Sequence, residues 1–343
     1  MKLIVITQKV NINDDNLGFF HHWLEKLAEK TAELHVACLA EGEHHLPPNT
    51  TVYALGKEKG YSKLRQLFRL QKFLLRHLSE VDGVYCHMCP VYAVLSFPLA
   101  KIFRKKLILW YAHGSISWKL RLAEKLVDEI VTSSLAGCRL KSKKIKVLGQ
   151  GIDTELFRPK YNPNTPNDFR ILYAARLVPI KDHKTLIEAI NILVNQRNIK
   201  NIKAKIIGKP LLESQQEYLD QLKSLVKNYN LQDYIEFLNG VSYFEMPRYY
   251  QEADLFVNPS STGSLDKVVL EAMASGCLVL NCNKAYQEIL PNKYLFKKGD
   301  AEDLAQKMVN LVGQVQDPAL REIVIKNHDL DNLVEKVIQR FYV

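Results

Sequence analysis

Short runs of consecutive apolar residues recur along the chain, and between them apolar positions return every three or four residues. LIVIT (3–7), LHVACLA (34–40), TVYAL (51–55), GVYCHM (83–88), KLILWYAHG (106–114), EIVTSS (129–134) and KIKVLGQG (144–151) are of the first kind. Such runs, bounded by turn residues, predict strands covered on both faces. Segments 17–30, 62–78 and 93–103 carry helical spacing, so strands and helices alternate and predict a parallel sheet with helices on both faces. YNPNTPND (161–168), with two prolines and four Asn or Asp residues, reads as a linker. Beyond it the alternation resumes, with strands expected at 169–176, 202–208, 234–240, 255–260 and 277–283. Helices are expected at 183–196, 218–229, 245–253 and 266–276, followed by a helical C-terminus. Tandem sheets of this kind predict a cleft lined by strand ends, where ligands bind.

A chain of 343 residues, 47% hydrophobic and 24% charged, holds enough apolar material for two ordinary cores. It has no run of about 18 uncharged apolar residues, and MKLIVITQKV lacks the flanks of a signal peptide, so a cytoplasmic location is expected. Cys38, Cys86, Cys89, Cys138, Cys277 and Cys282 are scattered, mostly in apolar runs, which predicts reduced, buried thiols and an idle sequon at Asn49. Charge separates the halves. Lys and Arg outnumber Asp and Glu 23 to 13 in residues 1–150 and equal them at 24 each in the remainder, so the net charge of +10 belongs to the first half. That asymmetry points to an anionic partner for one domain. A pI near 9.1 raises nucleic acid as a partner, but no basic motif with interleaved aromatics accompanies it and none is expected.

Three features could carry chemistry. Arg176 stands at the carboxyl end of an expected strand and Lys181 follows five residues later, before a helix. Together they form either a phosphate clamp or a solvated surface pair. In NPSSTGSLDKVVLEAMASG (258–276) a strand and a small-residue turn lead into a helix expected from Leu265, whose first turn would favour an anion near Ser264 and Leu265. Glu271 lies deeper in that helix, flanked by Val268, Val269, Leu270, Ala272 and Met273, and there a carboxylate can take the two hydroxyls of a ribose.

Four segments, GIDTELFRP (151–159), ARLVPIKD (175–182), FLNGVSYFEMPRYYQEADLFVNPS (237–260) and VVLEAMASGCLVL (268–280), resemble the donor-binding domain of the retaining glycosyltransferases of family 4. They cover most of residues 148–290 in that family's order. The first half is similar more loosely, through Asn16-Leu17-Gly18, YAHG (111–114) and DEIVTSS (128–134). The resemblance implies an α/β protein of the GT-B fold, with two Rossmann-like doubly wound parallel-sheet domains facing a cleft. Its acceptor-side domain would be 1–152 and its donor domain 153–325, with a C-terminal helix at 326–343 packing back on the first. It further implies transfer of a sugar from a nucleotide diphosphate to a lipid-linked or polysaccharide acceptor, without metal or cofactor. Arg176 and Lys181 would stabilise the leaving diphosphate, Glu271 would hold the donor ribose, Gly18 would admit the phosphates and His113 would hydrogen-bond near the reacting sugar. The family's first glutamate, eight positions before Glu271, falls on Gly263. Asp266 and Lys267 stand where the family has small or apolar residues, and one of them, with Thr262 or Ser264, is expected to take over sugar contacts.

Other signals are weaker. Cys86-His87-Met88-Cys89 has no second ligand pair and reads as a strand end rather than a zinc site. His21-His22 and His44-His45 read as surface pairs. In 62–78, Leu64, Leu67, Phe68, Leu74, Leu75 and Leu78 form the expected core stripe, with Leu70 and Phe73 beyond it and Arg65, Arg69, Lys72 and Arg76 opposite. That helix is either packed with its cations in water or laid on an anionic membrane surface, and Arg104-Lys105-Lys106 favours the membrane. Two competing functions remain: a sugar-nucleotide epimerase, against which Arg176, Lys181 and Glu271 argue, and a sugar-nucleotide binder without turnover, which Gly263 allows.

Overall fold

The structure, a computed structural model, describes residues 1–14, 17–160, 168–314 and 316–342. Asn16 and most of the linker expected at 161–168 lie outside these residues. The chain forms two compact units, Met1–Gly151 together with the segment from Asn327 onward, and Ile152–Lys326.

The first unit runs β1 (Lys2–Val10), α1 (Gly18–Glu29), β2 (Glu33–Glu41), β3 (Thr50–Ala54), α2 (Lys63–His77), β4 (Gly83–His87), α3 (Pro90–Ile102), β5 (Lys106–Trp110), α4 (Trp118–Leu126), β6 (Glu129–Thr132) and β7 (Ile145–Val147). Among the described residues its sheet has seven parallel strands in the order β3-β2-β1-β4-β5-β6-β7. One helix was not legible beforehand. α4 is nucleated by Ser117, whose hydroxyl accepts from the Leu120 amide at 3.2 Å. Only Leu120 and Ala123 are buried on it, too few positions to show a period.

The second unit runs β8 (Phe169–Ala174), α5 (His183–Asn191), β9 (Ile202–Ile207), α6 (Glu213–Asn228), β10 (Ile235–Leu238), α7 (Met246–Glu252), β11 (Leu255–Asn258), α8 (Lys267–Ala274), β12 (Leu278–Asn281), α9 (Ala301–Leu311) and most of α10 (Pro318–His328). Its sheet has five parallel strands among the described residues, ordered β10-β9-β8-β11-β12. Both sheets are therefore doubly wound, with the reversal of strand order between β1 and β4 in one and between β8 and β11 in the other.

In the first unit the sheet separates two buried clusters. One gathers Ile4, Ile6, Leu74, Val84 and Leu109 beneath α2 and α3. The other gathers Leu3, Val5, Trp23, Ile108 and Trp110 with Leu330, Leu333, Val334 and Val337 of the last helix, α11 (Leu330–Gln339). Each such side chain contributes roughly 1.5–3 kcal/mol when fully buried. Gly151 permits this packing: at φ +70° it suits glycine, and a Cβ there would lie 2.5 Å from the Trp23 ring and 2.6 Å from Leu333. The Trp23 indole donates to its carbonyl at 3.3 Å. Arg340 adds a bidentate contact to Glu129, at 2.6 and 2.7 Å.

α2 departs from its expected facing. Leu74, and Leu78 just past its end, are buried as expected, but Leu70 and Phe73 join them in the core, whereas Leu64, Phe68 and Leu75 are 78%, 70% and 56% exposed. The sequence offers two overlapping apolar stripes, and the one containing Leu70 and Phe73 meets the sheet because Tyr53 stacks on Phe73 at 5.4 Å.

His183 begins α5 fully buried between Tyr173 (4.8 Å) and Tyr218 (5.7 Å), with neither ring nitrogen hydrogen-bonded. Burial, aided by Lys181, lowers its pKa to about 3. The unfolded chain takes a proton near pH 6.5 while the folded one does not, so stability present at pH 7 is lost as pH falls from 6.5 toward 3. At pH 5 the loss is about 2 kcal/mol, and hydrogen exchange of α5 amides at pH 7 and 5, corrected for intrinsic rates, should show it in wild type and far less of it in His183→Phe.

Candidate functional site

The reversal of strand order between β8 and β11 places the loops that follow these two strands side by side. After β8 the chain makes one tight turn, Pro179–Lys181. Asp182 follows with φ 51° and uses its carboxylate to bind Thr185, accepting from the hydroxyl at 2.8 Å and the amide at 3.4 Å, which starts α5. The buried Tyr173 hydroxyl donates to the Lys181 carbonyl at 2.5 Å. Lys181 is thus fixed at its backbone, and its side chain extends toward the loop after β11.

There the ammonium donates to Asp266 Oδ1 at 2.9 Å and to Ser260 Oγ at 3.2 Å. Asp266 also accepts from Asn258 Nδ2 and Asn283 Nδ2, both at 3.2 Å to Oδ2, and from the Thr262 hydroxyl at 3.4 Å. Its own carbonyl accepts from Tyr286 at 2.6 Å. The Lys181 and Asp266 side chains are only 11% and 12% exposed, so this is a buried ion pair within a hydrogen-bonded cage. Asp266 therefore ties β8, β11 and the residues after β12 together, and its oxygens are occupied by protein donors rather than presented to a sugar. The carboxylate makes no capping hydrogen bond to α8.

α8 begins at Lys267, two residues later than expected. Thr262, Gly263 and Ser264 form the turn before it, and the Leu265 side chain enters the core, 5% exposed. Gly263 has φ +74°, a conformation that costs an L-residue roughly 1–2 kcal/mol. A glutamate at that position would have to pay this strain, which is a physical reason for the departure from the resembled motif. Ser264 is held through its carbonyl, which accepts from Asn283 at 2.8 Å.

Glu271 is 5% exposed and accepts from the buried Tyr250 hydroxyl at 3.0 Å. Burial raises its pKa, opposed by the positive charge of Lys267 and by the Tyr250 bond. Lys267 is half-buried one turn earlier on the same helix face, and burial lowers its pKa against the pull of Glu271. Arg176, just past β8, is exposed to solvent. The structure thus gathers Lys181, Asp266 and Thr262 directly, with Lys267 and Glu271 on the helix that follows.

Gly18 and His113 belong to the other unit. Gly18 is the first residue of α1, and a Cβ there would lie 2.8 Å from the Ile12 carbonyl oxygen, so the chain's own backbone already requires the missing side chain. His113 is exposed, and its Nδ1 accepts from the Ser115 amide at 3.1 Å. The neutral ring then carries its proton on Nε2. His113 also borders a cavity of about 700 Å³ lined by Leu39, Leu67, Leu70, Tyr92 and Tyr111, with Lys63 and Lys119 on its wall.

Asn258, Ser260, Tyr250 and Asn283 were not singled out from the sequence. Asn258 and Asn283 lie at or just beyond the ends of apolar strands, LFVN and LVLN, and an amide at such a place is the signal that could have found them. Among the described residues no group of three or more His, Cys, Asp or Glu could hold a metal ion. Cys86 is a buried free thiol and Cys89 a partly buried one, both with pKa raised by burial.

Two doubly wound parallel-sheet units of this kind define the GT-B fold of glycosyltransferases. HepE of Anabaena, solved in complex with UDP, superposes with a TM-score of 0.78 over 100% of both chains at 18% identity. The chain belongs to the glycosyl transferases group 1 family, whose model matches residues 153–331. It is 31% identical over 185 residues to the amylovoran biosynthesis glycosyltransferase AmsK of Erwinia amylovora, covering 51% of this chain and 43% of AmsK. It is 27% identical over 228 residues to the capsular polysaccharide biosynthesis glycosyltransferase CapM of Staphylococcus aureus, covering 61% of this chain and 54% of CapM. The matches thus span about half the length of these curated relatives.

Breaking a buried ion pair from one side costs about 3–5 kcal/mol because the other charge stays behind. Asp266→Ala should destabilise the second unit by that amount in denaturant titrations, and Lys181→Met with Asp266→Asn, which removes both charges and keeps an acceptor for Asn258, Thr262 and Asn283, should recover most of the loss.

Proposed function

We propose that this chain is a retaining glycosyltransferase that moves a sugar from a nucleotide diphosphate to a lipid-linked or polysaccharide acceptor. The observation that carries the reading is Glu271. It is a buried carboxylate on the helix that follows the β8/β11 reversal, at the position to which the resemblance assigns the ribose. HepE binding UDP, and the roles in polysaccharide biosynthesis named for AmsK and CapM, support it. In this reading Glu271 accepts from the ribose hydroxyls, and Arg176 pairs with the leaving diphosphate as negative charge develops there. His113 donates from Nε2 to a hydroxyl of the transferring sugar. No cofactor is required, since the nucleotide is the donor's own leaving group.

The acceptor side rests on the first unit. Its cavity combines apolar walls with Lys63 and Lys119, which suits an acceptor having an apolar portion and an anionic group. Beside it α2 exposes Leu64, Phe68 and Leu75 along one stripe, with Arg65, Lys72 and Arg76 flanking it, and Ile102 and Trp118 are exposed on the neighbouring helices. That combination suits peripheral binding to an anionic membrane on its cytoplasmic face. Among the described residues no helix is long and apolar enough to cross a membrane.

A second reading, binding of a sugar nucleotide without turnover, is favoured by two observations: Lys181 is neutralised by Asp266 and Gly263 offers no carboxylate. Incubation with UDP-, GDP- and ADP-sugars separates the two. The transferase reading expects diphosphate release from one donor, lowered on the order of 100-fold by Arg176→Ala. Binding with no release, even in the presence of lipid extracts, favours the second. Co-sedimentation with vesicles containing anionic lipid should be lost in Leu64→Ser/Phe68→Ser and weakened by salt, whereas equal sedimentation of variant and wild type would remove α2 from the membrane reading.

A further inference from the structure

The two residues that depart from the resembled motif side by side, Asp266 and Lys267, make one compensated change. Asp266 brings a negative charge to Lys181, the cation that the resemblance assigns to the phosphates. At 2.9 Å, with Ser260 as a further acceptor and both side chains nearly covered, two of the three Lys181 N–H donors and its charge are engaged by the protein. Drawing it onto a ligand would strand the Asp266 carboxylate among Asn258, Thr262 and Asn283. Breaking a buried pair in this way is costly. The next residue supplies a cation in its place.

From this we infer that Lys267, rather than Lys181, is the lysine that holds the diphosphate of the donor, and that Lys181 with Asp266 is a positioning pair for the loop before α8. The assignment rests on the reading of Glu271 as the ribose residue. Lys267 lies four residues before Glu271 on one helix face, a separation along the axis of about 6 Å. In a nucleotide the 5′ carbon and its oxygen separate the ribose from the first phosphate by a comparable reach. A ribose held at Glu271 with its 5′ arm directed toward the start of α8 therefore brings its phosphates to Lys267.

The environment of Lys267 fits a ligand of this charge. The residue as a whole is half-buried, and burial disfavours the charged form of its ammonium while Glu271 favours it. An arriving diphosphate adds further negative charge and strengthens the hold on the charged lysine. A family-like apolar residue at this position would leave Arg176 as the remaining phosphate cation of the pair the resemblance assigns, since Lys181 is spent on Asp266.

Calorimetric titration of the intact chain with UDP, GDP and ADP, and with uridine, guanosine and adenosine, tests the assignment. Wild type is expected to bind one diphosphate. Lys267→Met should weaken that diphosphate at least tenfold with little change for the matching nucleoside, and Lys267→Arg should restore most of the affinity. Lys181→Met/Asp266→Asn, which removes both charges and keeps an acceptor for Asn258, Thr262 and Asn283, should stay within about threefold of wild type if the pair only positions. If Lys267→Met binds the diphosphate like wild type, or the double variant loses it while Lys267→Met keeps it, the assignment is overturned and the ribose reading stands. If wild type binds none of the three diphosphates, the donor-site reading itself fails.

Discussion

A buried ammonium–carboxylate contact, Lys181 to Asp266 at 2.9 Å, holds the second unit's loops in place. It spans the point where the strand order reverses, so it joins two segments that run away from each other on opposite sides of the sheet. The amides of Asn258 and Asn283 and the hydroxyl of Thr262 converge on the same carboxylate. Such a cage stabilises only when every member is satisfied, and a half-satisfied one would be worse than an apolar plug. Its presence accounts for the turn through Gly263, the late start of α8 and the orientation that Lys267 and Glu271 inherit from that helix.

The strands were legible because their runs of Ile, Leu and Val are continuous, as parallel strands buried on both faces require. α1 and the core of α8 were legible for a similar reason, since each carries one dominant apolar stripe. α2 was misread in its facing. Leu64, Phe68 and Leu75 compete with Leu70 and Phe73 at the same period, and periodicity alone does not decide between stripes that interleave. Contact with Tyr53 does, and that contact is long-range. α4 was invisible because it buries little.

The candidate site was partly legible in the same physical sense. Glu271 stood out because a carboxylate among Val, Leu, Ala and Met is costly to bury without a partner, and Tyr250 provides one. Asp266, with Lys267 one of two candidates for a sugar contact, reads outward in the sequence because nothing local reveals that Lys181, Asn258 and Asn283 close on it from three other segments. Pairings across tens of residues are set by the fold. Gly263 carried its own explanation only once its φ was known.

The second unit is an insertion within the first, since the chain leaves at Gly151 and returns at Asn327. During synthesis the first sheet is complete once β7 has emerged, yet one of its apolar faces, around Trp23, Ile108 and Trp110, stays open until α11 arrives. The whole of Ile152–Lys326 must be made in between, which takes roughly 10–35 s at ordinary elongation rates. For that interval the nascent protein presents an uncovered tryptophan-lined face, and a chain cut short before α11 would have its first-made half, rather than its last, left unfinished.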